Sequence, residues 1–211
     1  MTDKPEIEER ENGPLVVKGI HRMMDAEGIE VEVKPVMALC RCGKSKDKPF
    51  CDGSHNDAGF QSRGGEPAGK DKILTYKGAE VAVTYNPMVC SHAAECVRMA
   101  GEAFDPEARP WIQPDKVSAE RVREVVAACP SGALAMVEGD GREHLFTERA
   151  EIVIQRHGPY WVQNVPPPCD LKGEGMTERK YVLCRCGMSG NKPYCDGSHR
   201  DQGWRDDYTP S

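Results

Sequence analysis

The sequence predicts an α+β chain of three small units, two β-rich units of the same build flanking a different α+β unit. Three observations carry that prediction. A sixteen-residue stretch occurs twice, as Cys40 to His55 and as Cys184 to His199, with twelve of the sixteen positions identical. Short apolar runs, some alternating with period two, lead up to the copies, the mark of strands with one buried face. Between the copies, apolar residues instead return at helical spacing. The 211 residues include 21 Gly and 16 Pro, which cut the chain into short elements, so two or three small cores are expected rather than one large one.

In chain order, residues 1–12 are polar and acidic and read as a flexible tail. The first β-rich unit covers 13–60. Leu15, Val16 and Val17 make a short strand, and Ile29, Val31 and Val33 alternate with Glu30, Glu32 and Lys34 as a half-exposed one. Pro35 and the run Val36 to Leu39 then deliver the chain to Cys40. Residues 61–72, rich in Gly and Lys, read as a linker. The central unit, 73–150, opens with a strand through Val81, Val83 and Tyr85. One helix carries Val97, Ala100 and Phe104, and a second starts after Ser118 with Val122, Val125 and Val126 on one face. The second β-rich unit, 151–211, repeats the first: Gly158-Pro159 echoes Gly13-Pro14, a strand runs from Tyr160 to Val165, and Tyr181 to Leu183 leads to Cys184. The first glycine and first cysteine are 27 residues apart in one copy and 26 in the other, and an aromatic, Phe60 or Trp204, follows each His by five residues. The duplication therefore covers whole units.

Each copy offers Cys-x-Cys, a third Cys after eight residues and a His after three more: Cys40, Cys42, Cys51 and His55, then Cys184, Cys186, Cys195 and His199. Thiolates and imidazole in so short a span make a metal or cluster site. In a two-iron cluster each iron takes two protein ligands, which an early pair and a late pair supply; Cys51 and His55, four apart, share a face if the chain turns helical at Asp52. Asp52 is then a candidate N-cap that frees backbone N–H groups toward cluster sulfur. Ligand types and spacing alone leave structural zinc equally open.

The residues between the ligands decide between them. Cys-Arg-Cys-Gly, Ser45, Lys48-Pro49-Phe50 and Cys51-Asp52-Gly53-Ser54-His55, matched by Ser189, Lys192-Pro193-Tyr194 and Cys195 to His199, resemble the signature of the CDGSH iron–sulfur family, the mitoNEET-like proteins. The resemblance covers 13–60 and 158–204 and implies a [2Fe-2S] cluster in each copy, held by the three cysteines and the histidine. Members with one motif per chain are membrane-anchored homodimers. A chain with two motifs and no anchor is expected to be a monomer whose two halves pack as an internal pseudo-dimer around an intertwined β-region.

In the central unit, Cys90 and Cys96 precede the first helix, and Cys129-Pro130 closes the second. Cysteine followed by proline just past a helix resembles the last cluster ligand of bacterial-type ferredoxins, and 81–137 is similar to a divergent single-cluster ferredoxin. Where that pattern places a middle cysteine, this chain has Ala93. The resemblance then implies a [3Fe-4S] cluster on Cys90, Cys96 and Cys129, the alternative being a [4Fe-4S] cluster with a non-cysteine fourth ligand. His92 lies one position early for that ligand and reads as a loop residue. Cys169, after Pro166 to Pro168, reads as a free thiol; Arg41 and Arg185 read either as tuning groups for the clusters or as solvated side chains; His21, His144 and His157 read as surface or turn residues.

With ten cysteines mostly at ligand spacing and no export signal, the expected compartment is the reducing cytoplasm. The formal charge of -6 lacks the basic excess a nucleic-acid surface needs, and no apolar run is long enough for a bilayer. No catalytic triad or nucleotide-binding loop appears, so no enzyme is expected. The expected function is electron transfer, with a redox partner protein or an apo-acceptor of a cluster as partner. The alternatives are a cluster donor or redox and pH sensor that releases clusters through its histidine ligands, and a structural zinc module.

Overall fold

A computed structural model describes residues 4–206. The first unit contains β1 (Glu6–Glu9), β2 (Leu15–Lys18), β3 (Met23–Asp25), β4 (Val36–Leu39) and the short helix α1 (Ser54–Asp57). The central unit follows with β5 (Leu74–Lys77), β6 (Ala82–Tyr85), α2 (Glu95–Ala100), a 3-10 turn at Pro114–Lys116, α3 (Ala119–Ala128), β7 (Leu134–Glu138) and β8 (Gly141–Glu143). The last unit has β9 (Glu151–Ile154), β10 (Tyr160–Gln163), β11 (Lys180–Leu183) and α4 (Ser198–Asp201). No helix among the described residues is long and apolar enough to cross a membrane.

β1, β2 and β4 form one antiparallel sheet in which Leu15 faces Leu39; β9, β10 and β11 form its counterpart, in which Tyr160 faces Leu183. Glu6–Glu9 is thus a paired strand, not part of a loose tail. Ile7 is buried and Glu9 turns inward to pair with Arg41, while Glu6 is exposed and Glu8 half-buried, so four residues of modest β-propensity are held by one apolar anchor, one ion pair and the β2 ladder.

The two halves are joined through β3. This strand leaves its own sheet and pairs in parallel with β9, Met24 opposite Val153, to give the order β11-β10-β9-β3. The strand expected over Ile29, Val31 and Val33 is absent. That stretch makes one bridge, Met24 to Glu30, and Ile29 is 50% exposed, because the available sheet edge is taken by Met23–Asp25 instead. Asp25 closes the intervening turn by accepting from the backbone N–H groups of Glu27 and Ile29.

One core lies between the sheets, with seven buried residues from the first half (Ile7, Leu15, Val17, Ile20, Met23, Met37, Leu39) and eight from the second (Ile152, Ile154, Tyr160, Val162, Val165, Tyr181, Leu183, Tyr194). At about 1.5–3 kcal/mol for each large apolar side chain fully buried, separating the halves would forfeit most of what either gains by folding.

The central unit has its own core, where the antiparallel β5-β6-β7-β8 sheet packs on α2 and α3. The Ser118 side chain caps α3 by accepting from the Arg121 N–H, and Val122, Val125 and Val126 on its inner face are fully buried. Lys180 from β11 ties this unit to the second half: its buried ammonium donates to the Val126, Ala127, His144 and Leu145 carbonyls, so it caps the C-terminus of α3 just before Cys129.

Candidate metal centres

In each duplicated loop the ligands stand in two pairs. At the first, the sulfurs of Cys40 and Cys42 are 3.7 Å apart, and Cys51 Sγ is 3.3 Å from His55 Nδ1. At the second, the corresponding distances are 3.8 Å for Cys184 and Cys186 and 3.4 Å for Cys195 and His199 Nδ1. Among the described residues no three His, Cys, Asp or Glu side chains close on a single point as they would around one metal ion. The Cys-His spacing works as expected because α1 and α4 put residues four apart on one face, and Nδ1 is the nitrogen presented.

The loop geometry repeats. Cys40 N–H donates to the Pro49 carbonyl and Cys51 N–H to that of Ala38; Cys184 and Cys195 do the same with Pro193 and Val182, so each late ligand is hung beside the strand that delivers the early pair. Ser45 donates to the Phe50 carbonyl at 2.6 Å and Ser189 to that of Tyr194 at 2.7 Å, which folds the eight-residue loop back on itself. Asp52 spans the loop and the helix, accepting from the N–H groups of Lys46 and Ser54; Asp196 does so from Gly190 and Ser198. The N-cap position itself falls to Gly53 at φ 91, one residue after the Asp52 expected there. Burial works to raise the Asp196 pKa, but these hydrogen bonds win and hold it below the usual carboxylate range.

Electrostatics favour thiolate at the first cysteine of each early pair, while the hydrogen bond to that thiolate, with burial, pushes its partner, Cys42 or Cys186, up. Cys40 is pulled down to about 5, first by the hydrogen bond from Cys42 and then by backbone N–H groups of Ser45 and Gly43, against burial. Cys184 is pulled down to about 6 by Cys186 and by the amides of Ser189 and Gly187. Thiolate is the ligating form, and amides aimed at sulfur are the environment a cluster needs.

The two sites meet. Cys42 and Cys186 bridge as antiparallel partners across the halves. A Cβ on Gly43 would lie 2.7 Å from the Cys186 carbonyl, and one on Gly187 would lie 2.9 Å from that of Cys42, so neither position admits a side chain. Phe60 packs on Cys40 and Cys42, and Trp204 on Cys184 and Cys186, which covers each early pair with an aromatic ring.

Arg41 and Arg185 are not solvated: they are 1% and 2% exposed. Arg41 donates to the carbonyls of Gly13 and Arg10 and to Ser62 Oγ, pairs with Glu9 at 3.0 Å, and lies over Phe60. Arg185 pairs with Asp206 and lies over Trp204 and Tyr160. They lock the aromatic covers and the chain ends beside each Cys-x-Cys.

In the central unit Cys90, Cys96 and Cys129 line one cavity with Tyr85, Ala93 and Pro130. Burial pushes Cys96 up to about 12, aided by Cys129 and Cys90, so the three thiols feel one another's charge. The His92 ring lies outside that cavity, against Gly197 of the second loop. Cys169 is a free thiol at the margin of the shared core; its carbonyl accepts from Tyr194 Oη at 2.7 Å. His144, read as a surface or turn residue, is half-buried, with Nδ1 3.2 Å from the Leu134 carbonyl. His157 occupies a turn at φ 55 and accepts from the Asp206 N–H.

Several contributors carried no signal in the sequence. Tyr160, Lys180 and the contact of His92 with Gly197 involve residues far apart in the chain, and that the two loops are partners is expected only from the resemblance to homodimeric single-motif members.

Comparison with known families matches residues 12–56 and 157–200 to the iron-binding zinc finger of CDGSH type, and residues 76–139 to a divergent 4Fe-4S mono-cluster family. The chain is also 42% identical over 59 residues to the uncharacterized protein YjdI of Escherichia coli, in strain K12 and in O157:H7; the match spans 28% of this chain and 78% of YjdI.

Proposed function

Because this chain belongs to the CDGSH iron-binding family, with two such domains joined to a divergent single-cluster ferredoxin domain, we propose that it is a non-enzymatic electron-transfer protein holding two [2Fe-2S] clusters and one [3Fe-4S] cluster. The observation that carries the reading is the grouping of ligands: two pairs per CDGSH site, each spaced for one metal of a two-iron centre. Bound clusters supply one-electron chemistry, and a histidine ligand raises the potential above that of an all-thiolate site.

The chain's own residues suit that role. Cys40, Cys42, Cys51 and His55 would hold the first cluster, Cys184, Cys186, Cys195 and His199 the second, and Cys90, Cys96 and Cys129 the central one. Phe60 and Trp204 exclude water from the early pairs. The shared core, the β3 crossing and the Cys42–Cys186 bridge support an internal pseudo-dimer that is a monomer in solution. Its partner would be a redox protein, or an apo-protein that accepts a cluster.

Electron paramagnetic resonance on anaerobically purified protein tests the assignment. Oxidised protein should show one near-stoichiometric signal from the three-iron centre, and reduction should add the signals of two two-iron centres. A silent oxidised spectrum with four central irons would overturn the [3Fe-4S] assignment, and colourless protein with stoichiometric zinc would overturn the whole reading.

A further inference from the structure

The two CDGSH sites are made from nearly the same sixteen residues, yet they differ in what covers them. Residues 191–199 are all buried, whereas among the corresponding residues 47–55 only Pro49 is. The motif does not set this difference; the rest of the chain does. The stretch between the first and central units runs over the second loop, where the Gly64 carbonyl accepts from Lys192 Nζ at 3.4 Å and the Ala68 N–H donates to Asp196 at 3.1 Å. From the central unit, His92 and the Cys90 carbonyl press on Gly197 so closely that a Cβ there would lie 2.1 Å from the His92 ring. On another side Lys172 donates to the Lys192 carbonyl and accepts from Asn191 at its own. A cleft of about 290 Å³, lined by His92, Arg200 and Trp204 among others, reaches His199, which still keeps only 8% exposure.

Among the described residues the first site has no such cover. Asp52 is exposed, and its hydrogen bonds run to Lys46 and Ser54 within its own loop. The helix bearing His55 has no buried residue, whereas the one bearing His199 buries both Ser198 and His199. Opening α1 therefore breaks little beyond the motif, whereas opening α4 must also break its contacts with the central unit.

We propose that the two CDGSH sites have different duties: the first is the site from which a cluster leaves to a thiol-bearing acceptor protein, and the second retains its cluster. The proposal rests on the reading that both hold [2Fe-2S] clusters. In the transfer, three thiolates and one imidazole of this chain are exchanged for four thiolates of the acceptor. The two irons and two sulfides move together, and no oxidation state changes. The acceptor's thiols must reach the irons as the chain's ligands depart, and only the first site gives them a face to approach.

The test uses the loaded full-length chain at neutral pH under anaerobic conditions. It is mixed with excess apo-ferredoxin of the all-cysteine two-iron type, or with EDTA, and the two-iron spins left on the chain are counted after separation and reduction with dithionite. Half of them should be lost faster than the other half by about tenfold or more, a spread natural to local openings that differ by a packed interface. His55→Cys should alter the fast phase alone and His199→Cys the slow phase alone. His92→Ala, or Ala68→Pro if that variant does not fold, should speed the slow phase and leave the fast one unchanged. Loss of both halves at one rate, or a fast phase that follows His199, would overturn the proposal. Absence of any two-iron signal before the challenge would instead overturn the cluster assignment.

Discussion

The Tyr160 hydroxyl, which belongs to the second CDGSH domain, donates at 2.7 Å to the carbonyl of Cys40, the first ligand of the other domain. It also reaches the Pro49 carbonyl at 3.1 Å, so one side chain braces both ends of the first cluster loop. The register makes Leu15 its counterpart in the first half, since Leu15 faces Leu39 as Tyr160 faces Leu183. The second loop therefore has no matching brace from that position.

Tyr160→Phe should thus act on one site. It leaves the buried Cys40 carbonyl without its donor, while the Pro49 carbonyl keeps the Cys40 N–H, at a cost of about 1–3 kcal/mol. Iron analysis and the two-iron signal should show faster cluster loss at the first site and unchanged retention at the second. Equal loss at both would show that the hydroxyl acts on the shared core instead.

Arg41 is the better stability probe. Its buried guanidinium binds two carbonyls, Ser62 and Glu9, so Arg41→Ala strands the Gly13 carbonyl and leaves the Glu9 carboxylate to Arg63 alone. A buried carbonyl left without its donor costs about 1–3 kcal/mol, and the weakened ion pair adds to it. Denaturant unfolding of Arg41→Ala should show a loss of that order, and Arg41→Lys should recover little of it because an ammonium cannot span the same four partners. A change within about 0.5 kcal/mol, typical of a surface site, would contradict the buried geometry.

Ala93 lines the central cavity beside the three thiols. Ala93→Cys should add the missing thiolate and convert the centre to four irons: the oxidised-state signal disappears and iron content rises by one per chain. Retention of the original signal would mean that position 93 does not face the cluster.

His144 gives a pH dependence that is independent of the cluster ligands. Burial, with Arg142 and Lys180 nearby, pushes it down from 6.5 to about 4. The unfolded chain then takes up a proton below about pH 6.5 that the folded chain refuses until about pH 4. The stability tied to neutral His144 is complete above the higher value and is lost as pH falls through the window, by at most about 3.4 kcal/mol. His144→Gln can still donate to the Leu134 carbonyl and should show a shallower fall in denaturant midpoint between those pH values. Parallel curves for the two proteins would exclude His144 as the source.

Much of the site was legible because ligation is written locally. Cys40, Cys42, Cys51 and His55 lie within sixteen residues, and their pairing follows from a two-residue step and one helical turn. The same holds for α3, whose cap at Ser118 and valine stripe announce it. The strand over Ile29, Val31 and Val33 was misread because alternation shows that a segment could half-bury itself, not that a sheet edge is free to take it. Arg41 and Arg185 stayed ambiguous for a like reason: a long cation next to a ligand is solvated or buried according to what the rest of the chain places over it.

The sequence by itself thus determined that the chain has two copies of one ligand loop, which side chains in them can hold metal, and that a different three-cysteine unit lies between them. The tertiary structure decided that β3 crosses to β9, that Cys42 meets Cys186, and that the central unit buries the second loop while leaving the first open. Ligand spacing is a property of a short segment. Burial depends instead on contacts between residues far apart in the chain, such as His92 with Gly197 or Ala68 with Asp196, and two copies of one motif can therefore differ in how deeply the fold covers them.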